Sequence, residues 1–119
     1  HVDGLRLDAT HAIHDAPGTP PERTVLGAIA DALHALDPPR HVIAEDDRND
    51  RRLVAPRVAG GLALDGVWAD DLHHVLRRLL AGDAEGYFAP FAGTVAEFVE
   101  TLRRGWLFEG RTRAAAPAR

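Results

Sequence analysis

Two short apolar runs that each end in an acid constrain this chain most. Val2-Asp3-Gly4-Leu5-Arg6-Leu7-Asp8 is the first, and His41-Val42-Ile43-Ala44-Glu45 brings Glu45 37 positions after Asp8. Both read as strands, with room between them for the helix that a parallel crossover needs. Alternate side chains of a strand share a face, so Gly4, Arg6 and Asp8 lie on one side and Leu5 and Leu7 on the other. A cation therefore sits beside the first acid, and two parallel strands aim two carboxylates at one place.

The rest of the chain alternates in the same way. Ala9 to Asp15 bears histidines, and Ala16-Pro17-Gly18-Thr19-Pro20-Pro21 reads as a loop. A helix follows, with Pro20 or Pro21 in its first turn, a buried stripe of Leu26, Ile29, Leu33 and Leu36, and a stop at Pro38-Pro39. The polar run Asp46-Asp47-Arg48-Asn49-Asp50-Arg51-Arg52 reads as a solvated loop at the carboxyl end of the second strand. Gly60-Gly61 turns the chain into a third strand, Leu62 to Trp68. Asp70 or Asp71 then caps a helix that buries Leu72, Val75, Leu76, Leu79 and Leu80 and ends at Gly82. The aromatic loop Gly86 to Phe91 must pack on something. Thr94 and Glu97 form a capping box for a helix through Val95, Phe98, Val99 and Leu102 to Gly105. Residues 1–110 are expected to be a fragment of one domain and 111–119 a disordered or aberrant tail.

Composition removes several function classes. The 119 residues are 45% hydrophobic and 27% charged, with a formal net charge of -4, which is a globular balance with no basic footprint for nucleic acid or membranes. All fourteen cations are arginine. No apolar run approaches the ~20 residues of a membrane-spanning helix. The absence of cysteine excludes disulfides, thiolate metal sites and a cysteine nucleophile. The chain lacks methionine and enters a strand almost at once, so it is expected to be an internal piece of a longer polypeptide, with any targeting signal upstream. A cytoplasmic location is expected, and nothing in the sequence speaks to oligomeric state.

Three strand-helix units predict an α/β fold with parallel strands, and acids at the carboxyl ends of strands favour a (β/α)8 TIM barrel over an open doubly wound sheet. A whole barrel takes ~250 residues. This chain would then be a partial barrel with open edges, marginal or aggregating by itself.

Paired carboxylates with a neighbouring cation suit glycosidic bond cleavage. Asp8 is the candidate nucleophile, kept ionised by Arg6, and Glu45 the acid/base; a retaining enzyme needs the two groups ~5–5.5 Å apart. The plainer alternative is that both acids only cap the loops that follow. Thr10 and His11 are placed to line the leaving-group side, with His11 in reach of a sugar hydroxyl. Trp68 offers either a flat face for a sugar ring or filling for the wall, and Asp70 either binds sugar or caps its helix. Asp46 and Asp47 bind sugar, steady Arg48, or are solvated. His73 and His74 point about 100° apart on a helix, which is poor geometry for one metal ion. No phosphate-cradling glycine motif and no Gly-Xaa-Ser-Xaa-Gly elbow is present. No metal and no cofactor is expected.

These residues also carry a resemblance. Asp3-Gly4-Leu5-Arg6-Leu7-Asp8-Ala9 resembles the nucleophile-strand motif of the α-amylase superfamily (glycoside hydrolase family 13), and Val42-Ile43-Ala44-Glu45 its acid/base-strand motif. The extensions Asp8-Ala9-Thr10-His11-Ala12-Ile13 and Ala44-Glu45-Asp46-Asp47-Arg48-Asn49-Asp50 resemble the malto-oligosyltrehalose trehalohydrolases. So does Trp68-Ala69-Asp70-Asp71-Leu72-His73-His74. The likeness runs over roughly residues 1–110, with the motifs in the family's order. It implies part of a retaining α-glycoside hydrolase that cleaves the α-1,4 bond next to the terminal trehalosyl unit of maltooligosyl trehalose and releases trehalose. By motif, Asp8 would be the nucleophile, Glu45 the acid/base, and Arg6 the residue that orients Asp8. The superfamily's third carboxylate, in an Asn-His-Asp motif, and its Asp-Xaa-Xaa-Xaa-Asn-His motif are absent from this chain. No turnover is therefore expected from it alone. An amylase, a branching enzyme and a non-catalytic barrel that binds α-glucan remain the alternatives.

Overall fold

A computed structural model describes residues 2–110, and the expected tail at 111–119 lies outside the described residues. The described chain falls into two compact units, 2–46 with 50–68 and 47–49 with 69–110. It is an α/β structure with a three-stranded sheet and three α-helices.

The first unit carries β1 (Gly4–Leu7), α1 (Val25–His34), β2 (His41–Asp46) and β3 (Gly66–Ala69), with the strands in the order β1-β2-β3. β1 and β2 are parallel, pairing Gly4 with His41, Arg6 with Ile43 and Leu7 with Ala44. A Cβ on Gly4 would lie 2.6 Å from the His41 carbonyl oxygen, so this close pairing requires glycine. One sheet face packs under α1, where Leu26, Ala30, Val42, Ala44, Leu53 and Leu64 form the core and Leu7, Ile29, Leu33 and Val67 flank it. Each buried Leu or Val contributes about 1.5–3 kcal/mol.

Several local expectations shift. Pro21 heads a separate 3-10 turn, Pro21–Arg23, and α1 starts after it because the Thr24 hydroxyl accepts from the Gly27 amide at 3.1 Å. Leu36 lies beyond the end of α1 and is half exposed, so the stripe stops at Leu33. The third strand is shorter than Leu62 to Trp68. Leu62, Ala63 and Leu64 give their amides to the carbonyls of Arg52, Ala55 and Leu53, which leaves them outside the sheet ladder. The charged run after β2 is not simply solvated either, since Asp46 and Asn49 are both buried.

The second unit is built on α2 (Asp70–Ala81) and α3 (Val95–Arg104). Neither Asp70 nor Asp71 caps α2 through its side chain; Ala69 is the cap position and both acids sit in the first turn. The buried face is Asp71, His74 and Val75, one step round from the expected stripe, and Leu80 stays 76% exposed. A polar anchor sets this rotation. The fully buried Asp71 accepts through Oδ2 from the Leu107 amide at 2.9 Å, the Phe108 amide at 2.8 Å and Asn49 Nδ2 at 3.3 Å. A carboxylate out of water needs such donors, so α2 turns Asp71 toward them. The aromatic loop finds its partner in His74, whose ring stacks on Phe91 at 5.6 Å and meets Phe88 edge-on at 5.2 Å. Thr94 caps α3 as expected, but the reciprocal bond of the capping box goes past the cap residue. The Glu97 amide bonds Thr94 Oγ1, while the Glu97 carboxylate reaches back to the amides of Ala92 and Gly93. Gly82 ends α2 in the left-handed conformation, φ 76°, that glycine adopts without strain.

Candidate active site

The candidate site lies in the first unit, at the carboxyl ends of β1 and β2. Pairing Leu7 with Ala44 leaves Asp8 and Glu45 as the next residues of the two strands. Leu5, Leu7, Val42 and Ala44 alternate onto one face, so Arg6, Asp8, Ile43 and Glu45 fall on the other. Arg6 joins the acids. Its guanidinium pairs with Asp8 Oδ1 through Nη1 and lies 3.1 Å from Glu45 Oε1 through Nη2. It also sits 5.2 Å from the centre of the Trp68 ring, a cation-π arrangement that brings the third strand to the same place. Trp68 is 56% exposed in this segment.

The electrostatics act on the first acid. The Asp8 carboxyl is held below its ordinary value, first by the hydrogen bond from Arg6, then by a side-chain hydrogen bond with Glu45, then by the Arg6 charge, with His11 contributing least. Asp8 is also well exposed. An ionised, accessible carboxylate beside a second carboxyl is the arrangement that nucleophilic attack with proton donation requires.

Sequence reading placed Arg6, Asp8 and Glu45 together and left Trp68 either at a sugar ring or in the wall; the structure brings the three charged groups into contact and sets Trp68 against Arg6. His11 follows in a short 3-10 turn, Thr10–Ala12, half-buried just past Asp8. Three further candidates lie apart from that group. Asp46, expected to bind sugar, is buried, with Oδ2 2.7 Å from the hydroxyl of Thr10. Thr10, expected to line the leaving-group side, is buried with it. Asp70 belongs to the second unit, where His73 Nε2 lies 3.9 Å from its Oδ1. No cluster of three or more His, Asp or Glu groups able to hold a metal ion occurs among the described residues.

Comparison with known proteins gives this geometry a setting. No protein-family model matches the chain. Over 111 residues it is 40% identical to the malto-oligosyltrehalose trehalohydrolase of Saccharolobus solfataricus, covering 93% of this chain and 18% of that protein. The enzyme of the same name from Arthrobacter ramosus is 39% identical over 110 residues, covering 92% of this chain and 19% of the relative. The chain matches a segment of the malto-oligosyltrehalose trehalohydrolases. It spans under a fifth of the length of these relatives. A crystal structure described as a "Putative alpha Amylase" from Salmonella typhimurium superposes on all of this trehalohydrolase-like segment, at 28% identity and a TM-score of 0.78, over 20% of that chain.

The trehalohydrolase-like segment holds a second polar cluster that sequence reading missed, at the amino end of β2. Asp65 accepts from the Val42 amide at 2.8 Å and pairs with His34 Nε2 at 2.9 Å and His41 Nδ1 at 3.4 Å. These contacts, the His34 hydrogen bond first, lower the Asp65 pKa from 3.8 to about 2. A depressed carboxyl stabilises the fold fully above its unfolded value near 3.8, and the contribution is lost as pH falls through about 2. A carboxyl-carbon NMR titration is expected to put the Asp65 midpoint near 2; a midpoint at or above 3.8 would contradict the geometry. No local pattern announces this acid, because its partners come from a helix end and from another strand. Among the described residues, no helix is long and apolar enough to cross a membrane.

Proposed function

We propose that this chain supplies two of the catalytic acids of a retaining α-glycoside hydrolase that releases trehalose from maltooligosyl trehalose. The observation that carries the proposal is Arg6 bridging Asp8 and Glu45 at the ends of neighbouring parallel strands. Residues 1–110 are then part of a catalytic (β/α)8 barrel, whose other strands come from elsewhere in a full-length polypeptide. The likeness to trehalohydrolases and to an amylase-described structure supports both the barrel and the substrate class.

In the proposed reaction, Asp8 attacks the anomeric carbon as the glycosidic C–O bond breaks, and Glu45 gives its proton to the departing oxygen. Water then displaces the sugar from Asp8, and Glu45 takes up the water's proton. Arg6 holds Asp8 ionised and aligned. Trp68 supports a sugar ring, and His11 reaches a sugar hydroxyl. No turnover is expected without the third acid that the superfamily carries in a motif this chain lacks.

The test is the product. The full-length polypeptide, incubated with maltooligosyl trehalose, is expected to release free trehalose, with maltooligosaccharide as the second product. The amylase-described neighbour motivates the competing reading, an amylase-like enzyme. Internal cleavage of linear α-glucan with no free trehalose would select that reading instead.

A further inference from the structure

Thr10 and Asp46 stand just behind the two acids and touch no candidate substrate surface. Their exposures are 0% and 1%. The Thr10 hydroxyl lies 2.7 Å from Asp46 Oδ2 and 2.9 Å from the Glu45 carbonyl oxygen, so its one proton serves two acceptors on β2. Thr10 follows Asp8 by two residues, and Asp46 follows Glu45 directly. Between Asp8 and Thr10, Ala9 is held at φ 45°, ψ 47°, a left-handed conformation that non-glycine residues rarely adopt. That conformation has a consequence at the site. It aims the Ala9 amide at Glu45 Oε2, 3.0 Å away.

We propose that the buried Thr10–Asp46 pair is a positioning device that ties the carboxyl ends of β1 and β2 together and orients the Glu45 carboxyl through the Ala9 amide. The proposal rests on the hydrolase reading above. The physical argument is one of geometry. Retaining glycosidases work only with their two carboxyl groups ~5–5.5 Å apart, and a misplacement of about 1 Å costs up to ~100-fold. β1 ends at Leu7, so Asp8 already lies past the sheet ladder that aligns the strands. Beyond that point the Thr10 hydroxyl supplies the cross-strand tether. Losing it releases Ala9 from its left-handed conformation and lets the Ala9 amide swing away from Glu45. Thr10 and Asp46 are therefore positioning residues, and Glu45 remains the group that transfers the proton.

The experiment compares two substrates in the full-length polypeptide. Maltooligosyl trehalose needs its leaving oxygen protonated, whereas an α-maltosyl fluoride does not, because fluoride departs unaided. With azide present to take the place of activated water, the fluoride reaction bypasses Glu45 in both steps. Thr10→Val is expected to lower kcat on maltooligosyl trehalose about 30- to 100-fold, with KM within about 3-fold, and to lower the fluoride reaction less than about 5-fold. Thr10→Ser keeps the hydroxyl and is expected to stay within about 3-fold of the parent on both. The ratio of the two activities is read on one preparation, so a partly unfolded sample does not change it. Equal losses on both substrates, no loss for Thr10→Val, or a Thr10→Ser variant as impaired as Thr10→Val would overturn the proposal. Full activity in Glu45→Gln would remove the hydrolase reading and this proposal together. A dead Glu45→Gln alongside equal Thr10→Val losses would remove the positioning role alone.

Discussion

Replacing Asp8 or Glu45 in the full-length polypeptide is expected to remove trehalose release, by on the order of 10⁴-fold or more for Asp8→Ala and about 10²–10⁴-fold for Glu45→Ala. The two losses differ in kind, and added azide separates them. Each displacement in a retaining mechanism inverts the anomeric centre. With Asp8 gone, azide in the vacated space performs a single displacement on an activated α-glycosyl fluoride and gives the β-glycosyl azide. With Glu45 gone, Asp8 still forms its intermediate, and azide arriving from the opposite face gives the α-glycosyl azide. The two products, told apart by NMR, thus assign the roles independently of any rate. The expectation grows out of the asymmetry at the site, where Arg6 touches both carboxylates and the Asp8 carboxyl is pulled below its ordinary value. Azide products with the anomers exchanged would reverse the roles, and unchanged trehalose release in both variants would leave an α-glucan-binding barrel without catalysis.

The largest stability effect is expected in the second unit, at Asp71. Its fully buried carboxylate receives the amides of Leu107 and Phe108 and the side-chain amide of Asn49. Asp71→Ala strands these donors out of water, at a cost of about 1–3 kcal/mol for each one left unsatisfied. A loss of roughly 3 kcal/mol or more is expected, large against the 5–15 kcal/mol by which domains are ordinarily stable. Asp71→Asn can keep one oxygen in the place of Oδ2, and its new amide would occupy the position of Oδ1, which has no hydrogen-bond partner among the described residues. It should cost distinctly less. The measurement is urea unfolding of the full-length polypeptide followed through Trp106, which is buried and precedes the two donating amides in sequence. A fluorotryptophan resonance assigned by its loss in Trp106→Phe reports on Trp106 separately from every other tryptophan. An Asp71→Ala midpoint equal to the parent's would show that the buried hub contributes nothing net.

What could be read in advance follows the range of the interactions involved. The strands around Leu7 and Ala44 and the helices over 25–34, 70–81 and 95–104 follow from apolar period, caps and glycine stops, all of which act within a few residues. The match between Arg6 and Asp8 was equally legible, because residues two apart on a strand share a face whatever the rest does. The rotation of α2 was not. Its leucines have the stronger apolar pattern, but the buried carboxylate of Asp71 needs amides from residues 107 and 108, and no pattern near position 71 points there. The same limit explains Asp46. Inside a run of charges it reads as solvated, whereas the hydroxyl of Thr10, arriving from the turn after β1, meets its buried carboxylate.

The sequence by itself thus determined the side-by-side placing of two strand-end acids, the cation beside the first, the parallel α/β plan and the likeness on which the proposed chemistry rests. Those features depend on residue type and on spacing along one strand or helix. Tertiary structure decided which face of α2 is covered, that Thr10 and Asp46 turn inward behind the acids, that Trp68 meets Arg6, and that Asp65 gathers two histidines at the far end of β2. Each of those outcomes pairs a polar group with a partner more than twenty positions away. Such partners are fixed by where the folded backbone brings donors and acceptors within about 3 Å, a distance that chain spacing does not encode.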